Sequence, residues 1–365
     1  MMIGGCSFLG RKTLTRINDR PAYSFDDVLM VPQHSKIVSR QDVDLSVKLG
    51  RGLYLKLPIL SSNMDTVTEA SMAIEMANNG GAGVLHRFAD LERQYFWLQD
   101  MRSGGVEPRI ISVGLDTKPK DVRFMADEYG LDGICVDVAH GDHQRVIEVI
   151  RDMNTVLRDT VDIIAGNVAT GKAACRLVEA GATIVKVGIG PGSVCTTRIV
   201  SGHGYPQFSA ILNVEQELRL NGYRDANGHY TSIIADGGIR YSGDIVKALA
   251  AGADAVMLGS LLAGTEETPG SRIIEDGTSY KMFRGMASRE VQTEKRPGRY
   301  PRVEGIATRV PYRGPVGDTL RDLEAGIRSG LSYSGARNIT ELRDAAEFVV
   351  VTNNTLRESH PRYTS

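Results

Sequence analysis

Eight short apolar runs recur along this chain, and most are followed by an amphipathic stretch of helical period. They fall at 57–65, 82–86, 109–114, 133–141, 161–168, 183–188, 231–238 and 254–260. That repeat constrains the fold more than any other feature. Val, Ile and Leu fill the runs almost without interruption, whereas a strand with one wet face would alternate apolar with polar residues. Near-continuous apolar strands suit a parallel sheet buried on both faces. Parallel neighbours need a crossover between them, and the helical stretches supply it. Eight repeats of this length predict an α/β fold, a closed (β/α)8 TIM barrel, with an open doubly wound sheet as the alternative.

At 365 residues the chain can hold one such barrel, commonly ~250 residues, with additions, and it reads as a single catalytic domain over 1–365. A net charge of −1, with both signs interspersed, argues against a nucleic-acid partner. No apolar run approaches the ~20 residues that span a bilayer. The first sixteen residues mix Gly, Cys and basic side chains and do not read as a signal peptide. Cys6, Cys135, Cys175 and Cys195 form no CxxC pair and no metal spacing. The simplest expectation is reduced thiols in a cytoplasmic protein.

Polar residues gather at one end of the apolar runs. Asn63, Asp65, His86, Asp137, His140, Asn167, Cys195, Asp236 and Ser260 all lie at or just beyond a run's C-terminal end. Any one could be a helix cap or a loop residue. In a barrel, those ends share the rim on which active sites are built. The most distinctive rim segment is 183–210, TIVKVGIGPGSVCTTRIVSGHGYPQFSA. Its glycines allow the backbone to approach a ligand or ion closely. Cys195, at the tip of a polar loop rather than on an apolar face, is placed to act as a nucleophile, with Arg198 and loop N–H groups as candidates to favour its thiolate.

Two further glycine signals, at 235–238 and 258–260, follow the last two strands, where barrels often bind phosphate through backbone N–H groups. Asp236 would repel a phosphate but suits a pair of ribose hydroxyls, and Ser193 could add a hydroxyl to the phosphate. Together they point to a nucleoside monophosphate more than to a sugar phosphate. No GxGxxG opens a helix after a first strand, so any dinucleotide is not held in Rossmann fashion. The segment 285–310 has neither helical nor alternating period, and reads as a mobile flap over the site.

GIGPGSVCTTR, followed by GYPQFSA and by ADGG at 235–238, resembles the catalytic loop of the IMP dehydrogenase/GMP reductase family. The resemblance extends from FDDVLMVP at 25–32 to RGPVGDT at 313–319. It implies that Cys195 bonds covalently to C2 of a purine nucleotide, that a nicotinamide exchanges hydride with that carbon, and that Thr197 and Glu304 relay protons. It assigns nucleotide contacts to Ser62, Met64, Ser193, Asp236, Gly237, Gly238, Gly259, Ser260, Gly285, Met286, Ser288 and Gly305. Asp137, Ala139 and Asn167 match cofactor-facing positions. Carbonyls of Gly190, Gly192 and Cys195 match a site for a monovalent cation such as K+, and a homotetramer is implied.

Within the family the features divide. The chain lacks the large regulatory insert of most dehydrogenases, carries GYPQFSA, SSNMD and LHRF, and has only three residues between Tyr300 and Glu304. These resemble the reductase, which deaminates GMP to IMP with NADPH, and that branch is the expectation. Arg299-Tyr300, VDVAHG and ESHPR resemble the dehydrogenase, which oxidises IMP to XMP with NAD. A non-catalytic nucleotide-binding relative is the third class.

Overall fold

A computed structural model describes residues 17–157, 160–225, 231–295 and 303–359. The eight apolar runs form eight parallel strands: Ile59–Ser61, Ala82–Leu85, Ile110–Val113, Gly133–Asp137, Asp162–Val168, Ile184–Val187, Ser232–Asp236 and Ala255–Leu258. Each pairs with the next in sequence, and the eighth pairs with the first through Val256 and Ile59, closing the barrel. Helices follow the strands, from Ala70–Asn78 after the first to Val316–Tyr333 near the end of the chain. This is the (β/α)8 architecture predicted from the repeat.

Period-two alternation then sorts the strand residues. Ile59, Val185, Val187, Ile233 and Val256 face the helix layer. Leu60, Cys135, Ile164, Ile184, Ile234 and Met257 fill the barrel interior. The same interior cluster takes in Leu49, Leu53 and Leu55, from a hairpin of Val47–Lys48 and Tyr54–Leu55. Its turn is tied to the start of the fifth strand, where the Asp162 carboxylate accepts from Arg51 and Gly52 N–H, each at 3.0 Å. The hairpin therefore plugs the N-terminal mouth and leaves the opposite mouth for chemistry.

At that plugged end a buried ion triad clasps the helix Ile339–Ala345 to the barrel. Asp254 receives Arg224 at 2.5 and 3.0 Å, Arg343 at 2.7 Å and Ile233 N–H at 2.8 Å. Burial alone would push the Asp254 carboxyl up, but the two guanidiniums outweigh it and hold the group below the usual carboxylate range.

The segment expected to be structureless over 285–310 is partly ordered. It opens on a helix, Arg289–Lys295, and closes on a strand, Ala307–Pro311. That strand joins Ile273–Glu275 and Thr278–Arg284 in a three-stranded antiparallel sheet beside the barrel mouth. Elements of seven and five residues are too short to display a period, which is why the sequence reading treats them as loop. Arg299 and Tyr300 lie outside the described residues, as do Cys6 and the C-terminal tail. Among the described residues no helix is long and apolar enough to cross a membrane.

Candidate active site

The open mouth holds a cavity of about 890 Å³, within the ~300–1,000 Å³ usual for small-molecule and cofactor sites. Cys195 lies on its wall. Gly188 makes the turn that leads there: with φ 150°, a Cβ at this position would stand 2.0 Å from the Asp236 carbonyl oxygen. Gly237, at φ 89°, packs the seventh-strand loop against Pro191 and Gly192 of the cysteine loop. Two rim loops are thereby pressed together at the cavity wall.

The thiol is the start of a short polar chain. Cys195 Sγ donates to the Thr197 hydroxyl at 3.2 Å, and that hydroxyl donates to Glu304 Oε2 at 2.7 Å. Backbone pairing brings Glu304 across 107 residues of sequence. Thr196 N–H donates to the Glu304 carbonyl at 3.0 Å, Glu304 N–H to the Ala287 carbonyl at 2.9 Å, and Ile306 N–H to the Val194 carbonyl at 3.0 Å. Gly305 bridges both Cys195 and Ser288. The returning end of the flap is therefore stitched to the cysteine loop.

Cys195 differs from the other two described cysteines. Burial pushes the Cys135 thiol, inside the barrel, up to about 12, and also raises the thiol of Cys175. Neither lines the cavity. Arg198, expected to favour the Cys195 thiolate, commits its guanidinium to the Tyr205 carbonyl at 2.6 Å. It braces the loop through its stem, against Gly190 and Gly204.

The positions expected to contact a nucleotide converge on this cavity with two exceptions. Ser62, Met64, Ser193 and Asp236 line it, as do Gly237, Gly238, Gly259, Ser260, Gly285 and Met286. Ser288 and Gly305 do not: Ser288 is fully buried one layer behind, accepting from Val291 N–H at the head of the flap helix. Of the nine rim residues, Asn63, Asp137, Asn167, Cys195, Asp236 and Ser260 face the cavity. Asp65 instead pairs with Arg284 at 2.7 Å, a guanidinium that also holds Glu294 of the flap helix at 2.9 Å. His86 is buried edge-on against Trp97, with Nε2 3.5 Å from Glu69, and His140 is exposed away from the cavity.

Asp137, Ala139 and Asn167, expected to face a cofactor, line the same cavity. Asn167 sits where the fifth strand's register shifts between Gly166 and Val168, an irregularity that re-aims a side chain. Its Nδ2 donates to the Gly188 carbonyl and to Asp236 Oδ2, both at 2.8 Å. Its Oδ1 is buried without a partner among the described residues, an acceptor suited to an amide N–H. Gly190, Gly192 and Cys195 also line the wall, and the Gly192 carbonyl accepts from Cys195 N–H at 3.1 Å, which leaves it a second lone pair.

Two polar residues at the mouth went unassigned from the sequence. Lys186 is 2% exposed, with Nζ 2.9 Å from Asp236 and 3.5 Å from Asp137. Arg87 lies over the Phe88 ring at 4.6 Å and 3.9 Å from Asp137. A lysine inside an apolar strand was the available signal for the first, and the LHRF motif at 85–88 for the second.

A barrel whose open mouth presents a thiol, a hydroxyl and a carboxylate in sequence, beside two glycine loops, defines a nucleophilic enzyme site of nucleotide size. The chain belongs to the IMP dehydrogenase / GMP reductase family, whose domain model matches residues 22–362. It is similar to proteins named inosine-5'-monophosphate dehydrogenase. The one from Cryptosporidium parvum is 38% identical over 387 aligned residues, covering 92% of this chain and 94% of that protein. The one from Borreliella burgdorferi is 35% identical over 401, covering 94% and 97%. The Bacillus subtilis protein is 35% identical over 476, covering 93% and 95%. The shorter alignments leave no room for the long additional stretch that the third contains.

Proposed function

We propose that this chain oxidises IMP at C2 with NAD, in the manner of an IMP dehydrogenase that lacks a regulatory insert. The observation that carries the chemistry is the Cys195–Thr197–Glu304 chain on the cavity wall. The relatives support the direction: two of them are compact and bear the dehydrogenase name. Absence of an insert therefore does not mark the reductase branch. The Arg299-Tyr300 pair in the sequence agrees.

In this reading the nucleotide's ribose hydroxyls meet Asp236, and its phosphate meets the glycine loops with Ser193. The Cys195 thiolate attacks C2, and the hydrogen on C2 departs with its electron pair. A bound nicotinamide, against Asp137, Ala139 and Asn167, would supply the hydride acceptor. Water then replaces sulfur at C2, which releases XMP and restores the thiol. Glu304, through Thr197, takes the proton lost by that water. Carbonyls of Gly190, Gly192 and Cys195 would hold a monovalent cation that fixes the loop, and a homotetramer is part of the same proposal.

GYPQFSA and the short span between Tyr300 and Glu304 favour a second reading, in which the chain deaminates GMP with NADPH. There Glu304 and Thr197 protonate the leaving amine, and the adduct is resolved by hydride instead of water. Incubating the protein with IMP plus NAD, and separately with GMP plus NADPH, while following absorbance of the reduced nicotinamide distinguishes the two. In either case Cys195→Ser should abolish turnover while nucleotide binding persists. Normal turnover by that variant would refute the mechanism, and failure of the wild-type protein in both assays would favour a pure binder.

A further inference from the structure

Strand alternation places Asp137, Lys186 and Asp236 one step above Cys135, Ile184 and Ile234, in the top layer of the barrel interior. Lys186 is the cation between two carboxylates. Asp236 receives it at 2.9 Å from the seventh strand, and Asp137 lies at 3.5 Å on the fourth. The donors on Asp236 both fall on Oδ2: Lys186 Nζ at 2.9 Å and Asn167 Nδ2 at 2.8 Å. Its Oδ1 stays outside both bonds, on a side chain 19% exposed at the cavity wall.

We infer that Lys186 is a positioning residue whose ammonium locks the nucleotide-facing Asp236 and the cofactor-facing Asp137 into one ionised, oriented unit. The inference rests on the proposed nucleotide reading of the cavity. Removing the cation would leave two carboxylates facing each other in a half-buried cleft, where each disfavours ionisation of the other. Among the described residues, Cys135 lies below the Lys186 ammonium, and neutral Asn167 from the fifth strand shares Asp236 Oδ2 with it. Arg87 approaches only the far oxygen of Asp137. Burial would push the ammonium down, but the two carboxylates outweigh it and hold it above the ordinary lysine range. A methionine or leucine would fill this interior position without desolvating a charge, and burying an ion pair is weakly justified by stability alone. Fixing the two ligand-facing carboxylates accounts for its presence.

Lys186→Met keeps the stem and removes the charge. Titration calorimetry with IMP, without cofactor, should then give at least tenfold weaker binding at pH 7.5. The variant's affinity should also gain a pH dependence beyond the one that the IMP phosphate, with a second pKa of ~6, gives both proteins, as one carboxylate takes up a proton. Asp137→Asn added to Lys186→Met removes the opposing charge and should recover several-fold of the lost affinity. A structural defect would be deepened by the second substitution. A folded Lys186→Met that binds IMP within twofold of wild type overturns the inference, as does a double variant weaker than the single. Should the single variant not melt cooperatively, the double variant alone decides. Folded and within about tenfold of wild-type affinity, it supports the inference; folded without IMP binding, it overturns it. Wild-type protein that binds neither IMP nor GMP overturns the nucleotide reading itself.

Discussion

Glu304→Gln isolates the proton relay from the rest of the site. Glutamine has nearly the same volume and keeps an oxygen that can accept from Thr197, so the 2.7 Å contact and the stitched backbone around residues 304–306 should persist. The substitution removes only the capacity to take up a proton. The chain from sulfur to carboxylate runs through contacts of 3.2 and 2.7 Å, inside or at the edge of the ~2.6–3.2 Å window for general acid–base partners. A lost general base costs ~10²–10⁴ in rate, equivalent to ~2.7–5.5 kcal/mol of barrier. In the dehydrogenase direction that cost falls on water attack, after hydride has left. Rapid mixing of the variant with IMP and NAD should therefore give one equivalent of reduced nicotinamide at a rate within about tenfold of wild type. The steady state that follows should be slower by the full factor. In the reductase direction the same variant should fail at release of ammonia from GMP. A steady-state rate within tenfold of wild type would refute the relay. Equal loss of burst and steady state from IMP would place Glu304 in binding or folding instead.

Asp236→Ala should weaken IMP binding by ~1.5–3 kcal/mol, the range for a hydrogen bond to a charged group, and an unchanged dissociation constant would move the ribose elsewhere. Asp254→Asn breaks the buried triad and should cost ~3–5 kcal/mol of stability in denaturant titration. The folded Asp254 carboxyl lies below its ordinary value of ~3.9. Its stabilisation is thus complete above that value and is lost as pH falls through the lower folded one, so the wild-type protein should show an acid-side loss that Asp254→Asn lacks. Arg299→Ala should leave the first hydride transfer from IMP intact and stall hydrolysis, so that a covalent adduct accumulates; sustained turnover of GMP with NADPH by that variant would favour the reductase.

The barrel was legible because its strands are buried on both faces, and unbroken Val/Ile/Leu runs have no other good explanation at that spacing. The rim followed from it, since closing the sheet carries Asn63, Asp137, Asn167 and Asp236 to one mouth whatever their distance in sequence. Contacts set by irregular backbone were not legible. The resemblance alone paired Thr197 with Glu304, because the pairing depends on a bridge at Gly305 and on carbonyls 194 and 287, which carry no side-chain signal. The small sheet beside the mouth was missed although Asp276-Gly277, with φ 48° and 76°, is a hairpin turn pair. Asp65 and His86 show the opposite error. Each is a polar residue at a strand end, yet one is drawn off by Arg284 and the other packs beneath Trp97.

Lys186 lay between these cases. Its place in an apolar strand was plain, and the period of two already aimed it inward with Ile184. Sequence does not reveal that two carboxylates from strands four and seven converge on one ammonium, because that depends on barrel shear. Asp137 pairs in register with Gly166, Gly166 with Lys186, and Lys186 with Ile234. Asp236 stands two residues beyond Ile234, one pleat higher on the same inward face. Each residue's direction is thus a local property, and their meeting is a global one. For that reason Asp137 and Asp236 could be named from the sequence as site candidates, while the cation between them emerged only once the barrel was closed.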